Sequence, residues 1–139
     1  MIHLYNHWVC ITNYNPWLFP ENPTGIWHLY DSLQAPESYV HLLSNVIRRF
    51  TDGAHCNINY VIMPKQSGTS DCGLFALGYA TALCLEINPA TLIFDQSRMR
   101  QEFNQMVMGH EVHLFSHELS SITPQCLSYS IDHFGPNDA

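Results

Sequence analysis

Twelve residues near the middle of the chain constrain its fold more than any others. Leu74 to Leu85 reads Leu-Phe-Ala-Leu-Gly-Tyr-Ala-Thr-Ala-Leu-Cys-Leu and is apolar on nearly every side. A run of this length is too short to cross a bilayer, so it predicts a core helix from Cys72 to about Glu86. The chain has 139 residues, enough for one domain that covers such a helix on all sides.

The segment before this helix, Lys65 to Asp71, is polar and contains Gly68, so it predicts a loop. Cys72 therefore lies where a polar loop meets the N-terminus of a buried helix. The partial positive charge of a helix N-terminus favours a thiolate, and Gly73 leaves room for a substrate beside the sulfur. A lone cysteine at such a place is more often an inert core residue. The assignment of a nucleophile thus depends on other residues.

Short runs rich in β-branched and aromatic residues predict strands around this helix. Met1 to Tyr5, Trp8 to Thr12 and Trp27 to Asp31 are three such runs, and the last two are expected to form a hairpin across a proline-rich loop. His7 would then lie on the strand next to Asp31. A fourth strand is expected where side chains alternate from Ile58 to Met63.

Two further helices are predicted by apolar residues at helical spacing. The first opens near Pro36 and ends before Gly53, and the second is capped by Asp95 or Ser97. Their expected apolar faces comprise Val40, Leu43, Ile47 and Phe50 in the first helix, and Met99, Phe103, Met106 and Val107 in the second.

His7, Asp31, Gln66 and Cys72 follow one another along the chain as the groups that thiol catalysis requires. A nucleophilic thiol needs a base, the base needs a carboxylate that orients it, and the intermediate needs a donor for its negative oxygen. Gln66, six residues before the cysteine, is the candidate donor. Each residue alone has a simpler explanation, such as a strand-end turn for Asp31.

At these residues the chain resembles the Ulp/sentrin-specific proteases. The likeness is carried by His7-Trp8-Val9, by Leu29-Tyr30-Asp31-Ser32, and by Gln66, which four intervening residues separate from Asp71-Cys72-Gly73, followed by Phe75. It covers roughly residues 2 to 108 and is closer to the branch found in animal mobile elements and genes derived from them. In that branch the pattern continues much as Phe94 to Arg100 does here.

The resemblance implies an α+β, papain-like fold with a small, mostly antiparallel sheet packed on the helix that carries the nucleophile. It implies cysteine peptidase or isopeptidase activity after the C-terminal glycine of a SUMO-like ubiquitin-like protein, with no cofactor. His7, Asp31, Gln66 and Cys72 would be catalytic. Trp8 and Gly73 would bind the substrate, since the Trp8 ring would wall a channel that admits little more than glycine.

The resemblance also implies a division of the chain. Residues 1–118 would form the catalytic domain, and residues 119–139, rich in Ser, Pro and Asn, are expected to be a loose tail. In the family a longer segment precedes the catalytic histidine, so this chain is expected to correspond to the C-terminal part of the family domain.

Composition argues against several other classes of protein. The formal charge is −7 with only five Lys and Arg residues, a poor match to nucleic acid or an anionic membrane. Five cysteines without a Cys-x-x-Cys pair predict neither a disulfide framework nor a zinc ribbon. Without a signal peptide or an apolar run of membrane-spanning length, the expected location is inside the cell, in nucleus or cytoplasm.

The sequence leaves two alternative functions open and contains two smaller features. An acyltransferase could use the same residues, although five basic residues suit coenzyme A poorly, and a catalytically weak binding module could retain the fold. The spacing of His110, His113 and His117 invites a metal site, but a solvated segment is the favoured interpretation. Arg98 and Arg100 are expected on a solvated helix face.

Overall fold

The structure is a computed structural model, and it describes residues 1–14, 26–34, 39–51 and 56–131. Several predictions lie outside the described residues: most of the proline-rich loop, the helix start at Pro36, the helix end at Gly53, and the last eight residues of the chain.

Within the described residues the chain forms three α-helices and seven β-strands, an α+β arrangement. In chain order these are β1 (Ile2–Leu4), β2 (His7–Thr12), β3 (Ile26–Tyr30), α1 (Val40–Phe50), β4 (Cys56–Val61), α2 (Cys72–Cys84), a single 3₁₀ turn (Pro89–Thr91), β5 (Leu92–Phe94), α3 (Gln96–Gly109), β6 (His117–Leu119) and β7 (Cys126–Ile131).

Five of the strands form one mixed sheet in the order β1-β2-β3-β4-β7, and β5 pairs with β6 separately. Only β3 and β4 run parallel within the larger sheet, and its other pairs are antiparallel. Parallel neighbours need a crossover connection, which here contains α1. The expected antiparallel pairing of β2 with β3 is present, with Cys10 opposite Tyr30.

The hairpin of β1 and β2 fixes where His7 begins its strand. Leu4 pairs with His7, so only Tyr5 and Asn6 form the turn, and both have positive φ values, 46° and 53°. Two left-handed residues in succession give a turn whose twist matches that of the flanking strands. His7 therefore leaves the turn directly into a hydrogen-bonded ladder.

Adjacent residues of the central strands are buried on opposite faces of the sheet, because side chains alternate along a strand. Val9, Leu29 and Tyr60 belong to one apolar cluster, which includes Leu43 and Ile47 of α1. Their chain neighbours Cys10, Tyr30 and Val61 belong to a second cluster, built around α2. The sheet is thus a middle layer between α1 and α2.

The core helix that was predicted to begin at Cys72 is present as α2, and it ends at Cys84 rather than near Glu86. Its buried residues, which face several directions, are Cys72, Phe75, Ala76, Gly78, Tyr79 and Ala82. The rings of Phe94 and Phe115 pack against α2 at Gly78 and leave no space for a side chain at that position. A Cβ there would lie 2.9 Å from Phe94 Cε2.

The prediction of a loose tail is wrong for residues 126–131. These residues form β7, which pairs along its whole length with β4, from Val61 opposite Cys126 to Cys56 opposite Ile131. The segment reads Cys-Leu-Ser-Tyr-Ser-Ile, and its alternation of apolar and serine residues is a strand signal. β7 covers the backbone edge that β4 would otherwise expose.

The apolar face predicted for α3 is partly wrong. Met99 and Met106 are buried as expected, but the third buried residue is Glu102, and Phe103 and Val107 are 37% and 55% exposed. Glu102 accepts hydrogen bonds from the backbone and hydroxyl of Ser116, which satisfies its carboxylate inside the protein. No helix within the described residues has the length and apolar character needed to cross a bilayer.

Candidate active site

His7 and Asp31 form a direct, largely buried pair between neighbouring strands. His7 Nε2 lies 2.6 Å from Asp31 Oδ1, and the relative exposures of the two side chains are 12% and 0%. His7 begins β2, and Asp31 directly follows β3, so the antiparallel hairpin brings the two residues together. A short contact of this kind fixes the plane and the tautomer of an imidazole.

Two further groups hold the Asp31 carboxylate. Its Oδ1 atom accepts a hydrogen bond of 2.8 Å from Leu33 N, and its Oδ2 atom accepts one from the Tyr39 hydroxyl. Three donors therefore surround a carboxylate that has no access to solvent, which is how a buried charge is tolerated. Tyr39, just before α1, was not foreseen, because no sequence pattern connects it to Asp31.

The second ring nitrogen of His7 is free to react. His7 Nδ1 is buried and has no hydrogen-bond partner among the described residues. Since Nε2 faces the carboxylate, Nδ1 is the atom that can accept a proton from an incoming group. A buried, unpaired polar atom is uncommon in folded proteins and is typical of sites that bind or react.

Cys72 occupies the first turn of α2, next to the strand that carries His7. The helix packs against β2, and the side chain of Trp8 lies over Gly73, so the residues that follow His7 and Cys72 are in contact. Cys72 is 5% exposed, and it lines a groove of about 880 Å³.

Trp8 and Gly73 lie against each other in the lining of the groove. A Cβ atom built on Gly73 would lie 3.4 Å from Trp8 Cδ1, so the missing side chain is the space that remains beside the indole. The indole also stacks on the His3 ring, with ring centroids 4.7 Å apart. Farther along the groove lie Leu74, Leu77, Arg100 and Phe103.

Gln66 is buried at the start of the loop, residues 67–71, that leads to Cys72. Its Oε1 atom accepts a hydrogen bond from the Ser32 hydroxyl, while Nε2 donates to the carbonyl oxygen of Gly68 at 3.2 Å. The backbone N–H of Gln66 also donates to the Ser32 carbonyl oxygen at 2.8 Å. Because an amide nitrogen carries two protons, one N–H of Gln66 remains for another acceptor. Ser32 thus orients this amide, and Asp31, its neighbour in sequence, orients His7.

The first turns of α3 contact the loop that precedes Cys72. Arg100 is 67% exposed, as expected for a solvated helix face, and its guanidinium still reaches this loop. Arg100 Nη2 lies 2.6 Å from Asp71 Oδ1, and Gln96 Nε2 donates to Asp71 Oδ2 at 2.9 Å. Asp71, the residue before Cys72, therefore makes no side-chain cap on α2. Nothing in the sequence indicated that Gln96 and Arg100 would meet Asp71. Arg98 is exposed.

The other described cysteines lie in different surroundings. Cys10 is buried in the core, and burial raises the pKa of its thiol to about 11. Cys84 and Cys126 are exposed, and partial burial raises the pKa of Cys126. Of these three residues and Cys72, only Cys72 combines a helix N-terminus with an adjacent histidine-bearing strand.

The histidine-rich segment after α3 forms no ligand cluster. His113 Nδ1 and His117 Nδ1 lie 2.9 Å and 2.8 Å from the carbonyl oxygens of Leu114 and Phe115. Among the residues that the structure describes, no group of three or more His, Cys, Asp and Glu side chains could hold a metal ion.

Comparisons of the chain with protein-family models, curated proteins and solved structures find no match.

Proposed function

We propose that this chain is a cysteine peptidase or isopeptidase that cleaves after the C-terminal glycine of a SUMO-like ubiquitin-like protein. The observation that carries the proposal is the buried His7–Asp31 pair, with its unpaired Nδ1 atom, beside the helix N-terminus that bears Cys72. Base, orienting carboxylate and thiol are the three groups that this reaction needs.

In the first half of the reaction the Cys72 thiol transfers its proton to His7 Nδ1. The thiolate attacks the carbonyl carbon of the terminal glycine and forms a carbon–sulfur bond. When the carbon–nitrogen bond breaks, His7 returns the proton to the leaving amine. Asp31 remains ionised and stabilises the imidazolium, because its carboxylate faces Nε2 throughout.

Water completes the reaction. His7 takes a proton from the water as it attacks the acyl-enzyme, and Cys72 leaves as the thiol when the glycine carboxylate is released. The backbone N–H of Cys72 and the remaining N–H of Gln66 would stabilise the negative oxygen in both halves. One such donor contributes about 3 kcal/mol.

The gap between Trp8 and Gly73 supports glycine as the residue on the acyl side of the bond. A β-carbon on the substrate would compete for the space that the missing Gly73 side chain leaves. The choice of a ubiquitin-like protein, and of a papain-like arrangement of sheet and helix, comes from the resemblance of the three sequence blocks. The mixed sheet with α2 packed on it is compatible with that fold.

A mechanism-based probe tests the proposal. SUMO and ubiquitin with a C-terminal vinyl sulfone are incubated with the chain, and the adduct is located by peptide mass spectrometry. We expect one adduct, on Cys72, which is lost in Cys72→Ser and in His7→Ala but retained in the matched control Cys84→Ser. Absence of any adduct, or an adduct on another cysteine, would contradict the proposal, and acetyl transfer from acetyl coenzyme A would support an acyltransferase instead.

A further inference from the structure

The loop that connects the two catalytic groups has little backbone support of its own. Ser67, Gly68, Thr69 and Ser70 are all exposed, and Gly68 has a φ of +70°. We call residues 67–71 the nucleophile loop, since it joins Gln66 to Cys72. Within the described part of the chain, no backbone–backbone hydrogen bond involves residues 67–70. Something other than secondary structure must hold this loop.

The side chain of Gln96, at the start of α3, supplies that support. Gln96 Oε1 accepts a hydrogen bond from Ser67 N, and Gln96 Nε2 donates to Ser67 O, both at 2.8 Å. The amide thus pairs with both polar groups of one residue, as a neighbouring strand would. Its Nε2 atom also donates to Asp71 Oδ2 at 2.9 Å, so a single side chain joins both ends of the nucleophile loop.

Arg100 adds to this arrangement one turn along α3. Its guanidinium pairs with the same Asp71 carboxylate and lies 3.5 Å from the carbonyl oxygen of Ser70. Asp71 therefore receives contacts from two residues of α3 on its two oxygens. Gln96 makes two hydrogen bonds of 2.8 Å to the loop backbone, whereas Arg100 reaches the backbone only at 3.5 Å, so Gln96 is the residue that sets the shape of the loop.

We propose that Gln96 is a positioning residue, which holds the nucleophile loop so that Gln66 and Cys72 keep their relative placement. The inference rests on the proposed function for its catalytic consequence. Removal of the amide should lower kcat and leave KM nearly unchanged, since the loss affects alignment at the reacting bond. A misplacement of about 1 Å can cost a hundredfold in rate. We expect a fall of about ten- to a hundredfold in kcat for Gln96→Ala.

A second substitution separates positioning from simple helix stability. Gln96 is the first residue of α3, where an acidic side chain interacts favourably with the helix dipole. If Gln96 served only the helix, Gln96→Glu would be harmless. If Gln96 positions the loop, the same change removes the donor to Ser67 O and Asp71 and places a carboxylate against both oxygens. We then expect kcat to fall although α3 is not weakened.

The matched control is Gln105→Ala, the same change at an exposed position on the same helix. Two readouts do not depend on the substrate: hydrogen exchange of the Ser67 amide, and the rate at which iodoacetamide alkylates Cys72. In Gln96→Ala we expect Ser67 to exchange at least about tenfold faster than in Gln105→Ala, since its only acceptor is lost. The rate of Cys72 alkylation should also differ between the two variants. Their midpoints of thermal unfolding should be equal.

Turnover of a small Gly-Gly ester gives the third readout. Equal Ser67 exchange and equal kcat in Gln96→Ala, Gln96→Glu and Gln105→Ala would overturn the inference, as would a rise in KM alone. If the unaltered chain cleaves no ester while Ser67 exchange still depends on Gln96, the proposed function fails and the role of Gln96 in the loop stands. The two failures are thus distinguishable.

Discussion

At the scale of single residues, the site depends on how Asp31 is held. Its carboxylate receives His7, Leu33 N and the Tyr39 hydroxyl, and it has no exposure to solvent. Only the first of these contacts reaches a group that could react. The other two hold the carboxylate in one orientation, because each donates a hydrogen bond to one of its oxygens. Function and stability should therefore separate when the contacts are removed one at a time.

Asp31→Asn is expected to abolish most turnover. The amide lacks the charge that stabilises protonated His7, and its nitrogen could occupy the position of either oxygen. The same change in the serine-protease triad lowers kcat by about 10⁴. Tyr39→Phe leaves the His7 contact intact, so it should cost about 2 kcal/mol of unfolding free energy and much less activity. Urea unfolding and ester turnover measure both effects, and unchanged turnover in Asp31→Asn would make Asp31 a structural turn residue.

The cysteines should differ sharply in reactivity. Because burial raises the pKa of Cys10 to about 11, its thiolate fraction is about 10⁻⁴ at pH 7 and rises tenfold with each pH unit. We expect iodoacetamide to label Cys72 first at pH 6.5 and to reach Cys10 only in alkaline solution. Peptide mass spectrometry over a time course gives the rates, with Cys72→Ser as the control. If Cys10 or Cys84 matched Cys72 in rate, the assignment of the nucleophile would be wrong.

At the scale of elements, α2 contains two glycines with different roles. Gly78 lies in the core against Phe94 and Phe115, whereas Gly73 lies in the groove against Trp8. Both positions are helical, and at each of them helix propensity favours alanine over glycine by about 1 kcal/mol. What differs is the space that a methyl group would meet. The same substitution therefore tests packing in the middle of the helix and substrate access at its N-terminus.

Gly78→Ala should destabilise the fold and Gly73→Ala should not. At Gly78 the new carbon would lie 2.9 Å from Phe94 Cε2, and such overpacking typically costs about 1–3 kcal/mol. At Gly73 the nearest atom is 3.4 Å away, an ordinary contact, but the methyl group would fill the proposed glycine channel. Denaturant unfolding and kcat/KM on the Gly-Gly ester are measured for both variants. A stable, fully active Gly73→Ala would show that the channel does not select glycine.

At the scale of the whole molecule, the sheet is covered on both faces and carries one row of polar side chains. His28, Asn59 and Ser128 lie in register on β3, β4 and β7. Asn59 Nδ2 lies 3.4 Å from His28 Nε2, and Ser128 Oγ donates to Asn59 Oδ1 at 2.7 Å. The row extends from β3 through β4 to β7, so the segment that was expected to be a tail takes part in it.

Acid should weaken the fold through His28. Burial lowers the pKa of His28 to about 4, whereas the unfolded chain titrates near 6.5. Above pH 6.5 neither state is protonated. Between pH 6.5 and 4 only the unfolded state gains the proton, so stability falls by at most about 1.4 kcal/mol per pH unit. Unfolding free energies at pH 7.5 and 4.5 should differ less in His28→Gln than in the unaltered chain, and equal differences would contradict this origin.

The sequence alone predicted the features that depend on neighbours along the chain. The buried helix beginning at Cys72, the strand after His7 and the strand before Asp31 each follow from periodicity over a few residues. The hairpin between the last two was expected as well, and with it the approach of His7 to Asp31. The candidate set of His7, Asp31, Gln66 and Cys72 came from their order, from the chemistry that a thiol requires, and from the resemblance of three sequence blocks to a known family.

The tertiary structure decided which distant side chains complete that set. Tyr39 on Asp31, Ser32 on Gln66 and Gln96 on Ser67 are contacts between segments whose sequences contain no sign of one another. The pairing of β7 with β4 has the same character, because a strand edge accepts any suitable partner that the rest of the fold delivers. Local patterns determine which groups each element carries. Which groups meet is set by the register and packing of elements far apart in sequence, and these exist only in the folded chain.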